Sequence, residues 1–214
     1  MLSKDETIDL VTIGDSLTQG HPPPHNYHPG KYQHSMLTVL EEAGYSIMCR
    51  NHGIGGQEAE QIAIRVPEAL PCDIISIMAG TNDCWRYAQF SEEMAGDMRK
   101  HVMAQLERAV MFAKDGNSGS DTQVILCSIP PTRPGSGSSP QTLESIKILR
   151  ERIEELCQQK DIIFCDVYKA MSGTGGQAQR GLVKPDGVHF TDEGNKVCGT
   201  AIGETILSFL ESEN

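Results

Sequence analysis

Five short apolar runs, at residues 7–13, 46–50, 73–78, 123–129 and 162–167, are separated by stretches long enough to hold a helix and return the chain to the same end of a sheet. This alternation limits the possible folds more than any other feature of the chain. Strands joined through helical crossovers form a parallel sheet with helices on its faces, and the crossovers are right-handed. In the third run Ile74, Ile75 and Ile77 crowd together without polar alternation, as fits a central strand covered on both sides. The expected fold class is α/β, a three-layer α/β/α sandwich on a five-stranded parallel sheet, with residues 1–214 forming one domain and no internal repeat or interdomain linker.

Between these runs the apolar spacing is helical. Tyr32, Met36, Leu37 and Leu40 share one face of a helix of about a dozen residues, closed by Gly44. Residues 58–65 make a short helix that ends near Pro67. Residues 91–114 form a long amphipathic helix with Met94, Met98, Val102, Leu106, Ala109 and Ala113 as core filling. Residues 141–160 form another, through Leu143, Ile146, Leu149, Ile153 and Leu156. A last helix starts near Thr191 and turns Val197, Ala201, Ile202, Ile206, Phe209 and Leu210 inward.

Composition removes several classes of function. A chain of 214 residues buries roughly 70% of its unfolded surface, enough for a core without disulfides or metal. The net charge of −11, from 29 acidic and 18 basic residues with no Lys/Arg run, gives no footprint for nucleic acid or an anionic membrane. The first residues read as neither signal peptide nor anchor, and no apolar segment nears the ~20 residues of a membrane span. Seven cysteines include no C-x-x-C pair, and Cys49, Cys127 and Cys165 fall inside apolar runs, as buried free thiols do. The expectation is a reducing, cytoplasmic compartment, with no zinc site and no redox role for these cysteines.

Chemistry-bearing residues gather where the strands end, which in open parallel sheets is where ligands bind. The first run stops at Gly14-Asp15-Ser16, presenting a hydroxyl at the rim of the sheet. The second ends in the glycine-rich bend Asn51-His52-Gly53-Ile54-Gly55-Gly56-Gln57, either a plain turn into a helix or a place where backbone comes close to a bound atom. The third delivers Asn82, which taken alone serves equally well as an Asx turn or helix cap. Near the end of the chain Asp186 stands three residues before His189, with Gly187 between. That pair is either a turn device or a carboxylate brought to Nδ1 with Nε2 facing Ser16.

A serine is a weak nucleophile until a base removes its proton and donors receive the oxyanion. Taken together, Gly-Asp-Ser-Leu, Asn-x-Gly-x-x-Gly, Gly-Thr-Asn-Asp and Asp-x-x-His resemble the four blocks of the GDSL, or SGNH, hydrolase family, in order from Gly14 to His189. The resemblance implies a flavodoxin-like fold and hydrolysis of esters without metal or organic cofactor. It implies Ser16 as nucleophile, His189 as base paired with Asp186, and an oxyanion hole made of the Ser16 and Gly56 N–H groups and the Asn82 amide. Asp15, adjacent to the nucleophile, points to the other side of the strand and is assigned a structural role. No G-x-S-x-G elbow occurs, which argues against an α/β-hydrolase of the lipase type.

The family spans carboxylesterases, carbohydrate O-acetylesterases, lysophospholipases and thioesterases, so preference has to come from the loops. The His/Pro loop of residues 21–30 and the aromatic and polar residues Trp85, Arg86 and Tyr87 suit a small or sugar-borne ester. The alternative is a lysophospholipase or thioesterase acting on longer chains. His21, His25 and His28 raise the thought of a metal, but the prolines among them favour a pocket rim. Residues 130–140, rich in Pro, Gly and Ser, are either inert linker or a second wall of the pocket.

Overall fold

The computed structural model describes residues 2–20, 31–115, 122–135 and 138–212. Five strands, β1 (Thr7–Gly14), β2 (Ser46–Gly53), β3 (Ile74–Met78), β4 (Gln123–Cys127) and β5 (Ile163–Cys165), form one sheet in the order β2-β1-β3-β4-β5. Every pairing is parallel. Successive side chains of a strand point to opposite faces, so a run such as Leu10-Val11 feeds two cores at once. Val11, Ile13, Ile75, Ile77, Val124 and Leu126 pack under one helical layer, whereas Ile8, Leu10, Ile74, Ile125, Cys127 and Cys165 pack under the other.

The first layer holds α3 (Ala59–Ala69), α4 (Thr81–Tyr87), α5 (Glu92–Asp115) and α6 (Pro140–Lys160). Across the sheet lie α2 (Lys31–Glu42), α7 (Val167–Met171) and α8 (Asp192–Ser212), with the single turn α1 (Ser16–Gln19) at the end of β1. Helices α2 and α8 come close enough to require glycine. A Cβ on Gly199 would lie 2.1 Å from the Tyr32 carbonyl oxygen, and one on Gly203 would lie 2.9 Å from that of Met36. All seven cysteines are free and buried.

Several elements differ from the sequence reading. Helix α3 runs through Pro67 to Ala69. A proline this near a C-terminus removes one intrahelical donor, and the burial of Val66 and Ala69 holds the last turn in place. Strand β2 continues to Gly53, whereas β5 is only three residues long and gives way to α7. Met94 is 45% exposed rather than core filling. On α8 the fully buried line is Cys198, Ile202, Ile206 and Leu210, while Val197, Ala201 and Phe209 are half-buried beside it. The cause is the approach of α2, which rotates the glycine-bearing face inward. No helix among the described residues is long and apolar enough to cross a membrane.

Candidate active site

Strand β1 ends against the first turn of α1, and the junction leaves no room for a side chain. A Cβ on Gly14 would lie 2.2 Å from Thr18 Oγ1 and 2.6 Å from the Met78 carbonyl oxygen. Close approach, rather than an unusual φ, therefore requires glycine there. Asp15 caps α1, its Oδ1 accepting from the Leu17 N–H at 2.9 Å, and this turn sets Ser16 at the rim. Ser16 Oγ stands 3.0 Å from His189 Nε2. On the other side of the ring, Nδ1 is 2.9 Å from Asp186 Oδ2. An imidazole protonated on Nδ1 donates to Asp186 and keeps Nε2 as the acceptor for the serine hydroxyl.

The loop carrying Asp186 and His189 is fixed from within. Asp186 Oδ1 accepts from the N–H groups of Val188 at 2.8 Å and His189 at 2.9 Å. Burial works to raise this carboxyl, but those two hydrogen bonds and the imidazole outweigh it, and its pKa lies below the usual aspartate value. Gly187 has φ +79°, and a Cβ there would lie 2.0 Å from the Arg133 carbonyl oxygen. The Arg133 N–H in turn donates to the Gly187 carbonyl at 2.9 Å. The described part of the 130–140 stretch thus buttresses the Asp186–His189 loop from behind, and the cavity at Ser16 takes none of its lining from it. That corrects the reading of the stretch as linker or pocket wall. The loop of residues 21–30, with His21, His25 and His28, lies outside the described residues.

Asn82 lines the same cavity as Ser16, and the bend that carries Gly56 approaches Ser16 through Gly55, where a Cβ would lie 3.6 Å from Ser16 Cβ. Asn82 lies in the first turn of α4, which Gly80 opens from a left-handed conformation at φ +113°. Its Nδ2 donates to the Gln57 carbonyl at 2.9 Å, which orients the amide and leaves its second hydrogen free. Gly56 sits at φ +78° in the bend after β2. A cavity of about 240 Å³ opens here, lined by Ser16, Thr81, Asn82, Trp85, Val188 and His189 among others. Among the described residues no group of three or more His, Cys, Asp or Glu is arranged to hold a metal ion.

Two further carboxylates lie beneath this floor. Asp15 is buried, and its Oδ2 sits beside the Thr81 hydroxyl without a well-formed hydrogen bond among the described residues. Burial pushes its carboxyl up to about 6, against the opposing pull of the Leu17 N–H. Asp83 is likewise raised to about 6 by burial, although its Oδ2 accepts from the Ala59 N–H at 3.0 Å. The helical setting of Asn82 and the partners Gln19, Gln57 and Arg86 were not foreseen from sequence. A Gly-Thr-Asn-Asp run that opens an unbroken stretch to Tyr87 was the only signal for α4.

The model of the GDSL-like lipase/acylhydrolase family matches residues 12–197. The chain belongs to that family. It is therefore an ester hydrolase of the GDSL, or SGNH, type. Among solved structures it resembles an acetylxylan esterase from Geobacillus stearothermophilus, at 20% identity over 93% of this chain and 94% of that one, with TM-score 0.72. A GDSL-like lipase from Bacteroides thetaiotaomicron aligns at 22% identity over 94% and 88% of the two chains, with TM-score 0.68. A carbohydrate acetylesterase from Sinorhizobium meliloti aligns at 22% identity over 94% and 99%, with TM-score 0.66. At these identities the likeness bears on the fold, and it is that of GDSL hydrolases. A search of curated protein sequences gives no match.

Proposed function

We propose that this GDSL hydrolase is a serine esterase acting on small carboxylic esters, short-chain acyl or O-acetyl groups including those borne on sugars. The observation that carries the reading is the continuous relay from Asp186 through His189 to Ser16, with links of 2.9 and 3.0 Å. Ser16 Oγ attacks the ester carbonyl while His189 Nε2 takes its proton, and the imidazolium formed is stabilised by Asp186. The carbonyl oxygen, now an oxyanion, receives the N–H groups of Ser16 and Gly56 and the second Nδ2 hydrogen of Asn82. The C–O bond to the leaving alcohol breaks as His189 returns the proton to that oxygen. Water then attacks the acyl-enzyme with His189 again as base, the bond from the acyl carbon to Ser16 Oγ breaks as His189 returns the proton to that oxygen, and the carboxylic acid departs.

Support for a small substrate comes from the cavity. At about 240 Å³ it is below the usual 300–1,000 Å³ of drug-sized sites, and Trp85 and Val188 form its apolar side. The acetylesterase neighbours are in keeping with an acetyl group, and the half-exposed Trp85 offers a ring face of the kind sugars stack on. The test is a panel of esters from acetate to palmitate together with sugar acetates, run on the wild type and Ser16→Ala. Turnover should be highest on acetate and sugar acetates and lost in Ser16→Ala. Wild-type hydrolysis by Ser16→Ala refutes the mechanism, and a strong preference for palmitate replaces the substrate class with long-chain acyl esters.

A further inference from the structure

An N–H group stabilises an oxyanion only if its peptide is held in the right plane. Glycine does not provide that by itself, because Gly55 and Gly56 have more conformational freedom than any other residue pair. A flip of the peptide between them would present the Gly55 carbonyl where the Gly56 N–H belongs. The bend lies directly against the nucleophile, since a Cβ on Gly55 would be 3.6 Å from Ser16 Cβ.

Two side chains grip this pair from opposite ends. Gln19, the last residue of α1, accepts the Gly55 N–H through Oε1 at 2.9 Å. Arg86, one turn beyond Asn82 on α4, donates Nη2 to the Gly56 carbonyl at 3.0 Å. Its Nη1 is anchored on Glu58 Oε1 at 2.5 Å, and the same oxygen accepts from Tyr87 Oη at 3.1 Å. Glu58 is itself held by a capping box with Gln61 at the start of α3. The peptides before Gly55 and after Gly56 are therefore fixed, and with them the two Cα atoms between which the Gly55–Gly56 peptide hangs, at the positive φ of +78° that Gly56 adopts.

We infer that Gln19 and Arg86 are positioning residues that fix the two peptides flanking the Gly55–Gly56 bond and so hold the Gly56 N–H in place for the oxyanion. This rests on the reading of Gly56 as an oxyanion donor. Both act through the backbone. The Arg86 side chain is 39% exposed and Glu58 23%, so the ion pair contributes little to stability. Its removal separates a catalytic effect from a structural one.

The experiment measures kcat and KM on p-nitrophenyl acetate, the affinity for phenylboronic acid, and Tm. Phenylboronic acid forms a tetrahedral adduct with a nucleophilic serine and probes the oxyanion hole without turnover. The variants are Arg86→Ala, Arg86→Lys and Gln19→Ala, with Ser16→Ala and Asn82→Ala alongside. In Arg86→Ala and Gln19→Ala, kcat should fall roughly 10-fold or more with KM within about twofold, and boronic acid affinity should fall in parallel. Arg86→Lys should recover part of the loss, since one ammonium reaches the Gly56 carbonyl or Glu58 but not both. Unchanged kcat in Arg86→Ala and Gln19→Ala overturns the inference while the site stands, provided Ser16→Ala and Asn82→Ala are impaired. So does a kcat loss without loss of boronic acid affinity, or one that follows Tm. Wild-type turnover in Ser16→Ala or Asn82→Ala instead removes the underlying reading, and the inference with it.

Discussion

The two sides of Ser16 are held in different ways. On the base side, Asp186 bonds the N–H groups of Val188 and His189 as well as the imidazole, so four consecutive residues fix one another. On the oxyanion side, the bend of Gly55 and Gly56 has a single long bond of its own, from the Gln57 N–H to the Ile54 carbonyl at 3.5 Å, and is otherwise held by Gln19, Asn82 and Arg86 from two other elements. A local motif is robust to changes elsewhere. A bend clamped by distant side chains depends on each of them, and aim rather than presence is what fails first.

The difference can be broken at either end. Asp186→Asn keeps an oxygen for the two backbone N–H groups but turns an amide toward His189 Nδ1, forcing the wrong tautomer. Turnover of p-nitrophenyl acetate should drop by about 10⁴ with the circular dichroism spectrum unchanged. A loss below tenfold would show that the carboxylate does not orient the base. Asn82→Ala removes one of several donors and should cost about 10² to 10³ in kcat, read in the same assay.

Glycine substitutions sharpen the contrast. An added methyl on Gly187 collides with the Arg133 carbonyl at 2.0 Å, so Gly187→Ala should unfold at markedly lower denaturant and lose activity with structure. On Gly56 the nearest atom to a Cβ is 3.9 Å away, and only the φ of +78° is strained. Gly56→Ala should therefore cost about 1 kcal/mol in urea unfolding yet lose most of its kcat. Equal stability of the two variants would contradict the contrast.

The smallest effect on activity is expected at Asp15, which lies under both sides. Its folded pKa of about 6 is above the 3.8 of an ordinary aspartate, so the native state binds the proton more tightly than the unfolded chain. Stability is therefore greatest below pH 3.8, as far as this group is concerned, and declines as pH rises to about 6, beyond which the full penalty of the buried charge remains. Asp15→Asn, which keeps the cap on Leu17, should raise Tm over wild type at pH 8 and lose that advantage at pH 4. An advantage that does not vary between these pH values would rule out the buried charge as its source.

Much of this was legible in the chain. The five strands could be read because β-branched runs such as Ile74–Met78 report burial on both faces, and Ser16, Asn82 and His189 because each follows a strand or lies in a short motif. Local spacing explains why the strands and the placing of these residues at their ends were legible. What it did not report were effects of contact. The rotation of α8 depends on the glycines that admit α2, the persistence of α3 past Pro67 depends on the layer beneath it, and the buttress from Arg133 to Gly187 joins loops far apart in sequence. Gln19 looks like an ordinary polar surface residue and Arg86 like part of a substrate rim until the fold brings them to the same two glycines.

The serine and its base are 173 residues apart. At a ribosomal rate of about 5–20 residues per second, Ser16 is made roughly 9–35 s before His189. Until then the chain holds a nucleophile without its base. Helix α8 begins three residues after His189 and is packed against α2, so the seating of that helix and the position of the base are tied together. Fraying of α8 should therefore silence the enzyme before the sheet has lost a single strand.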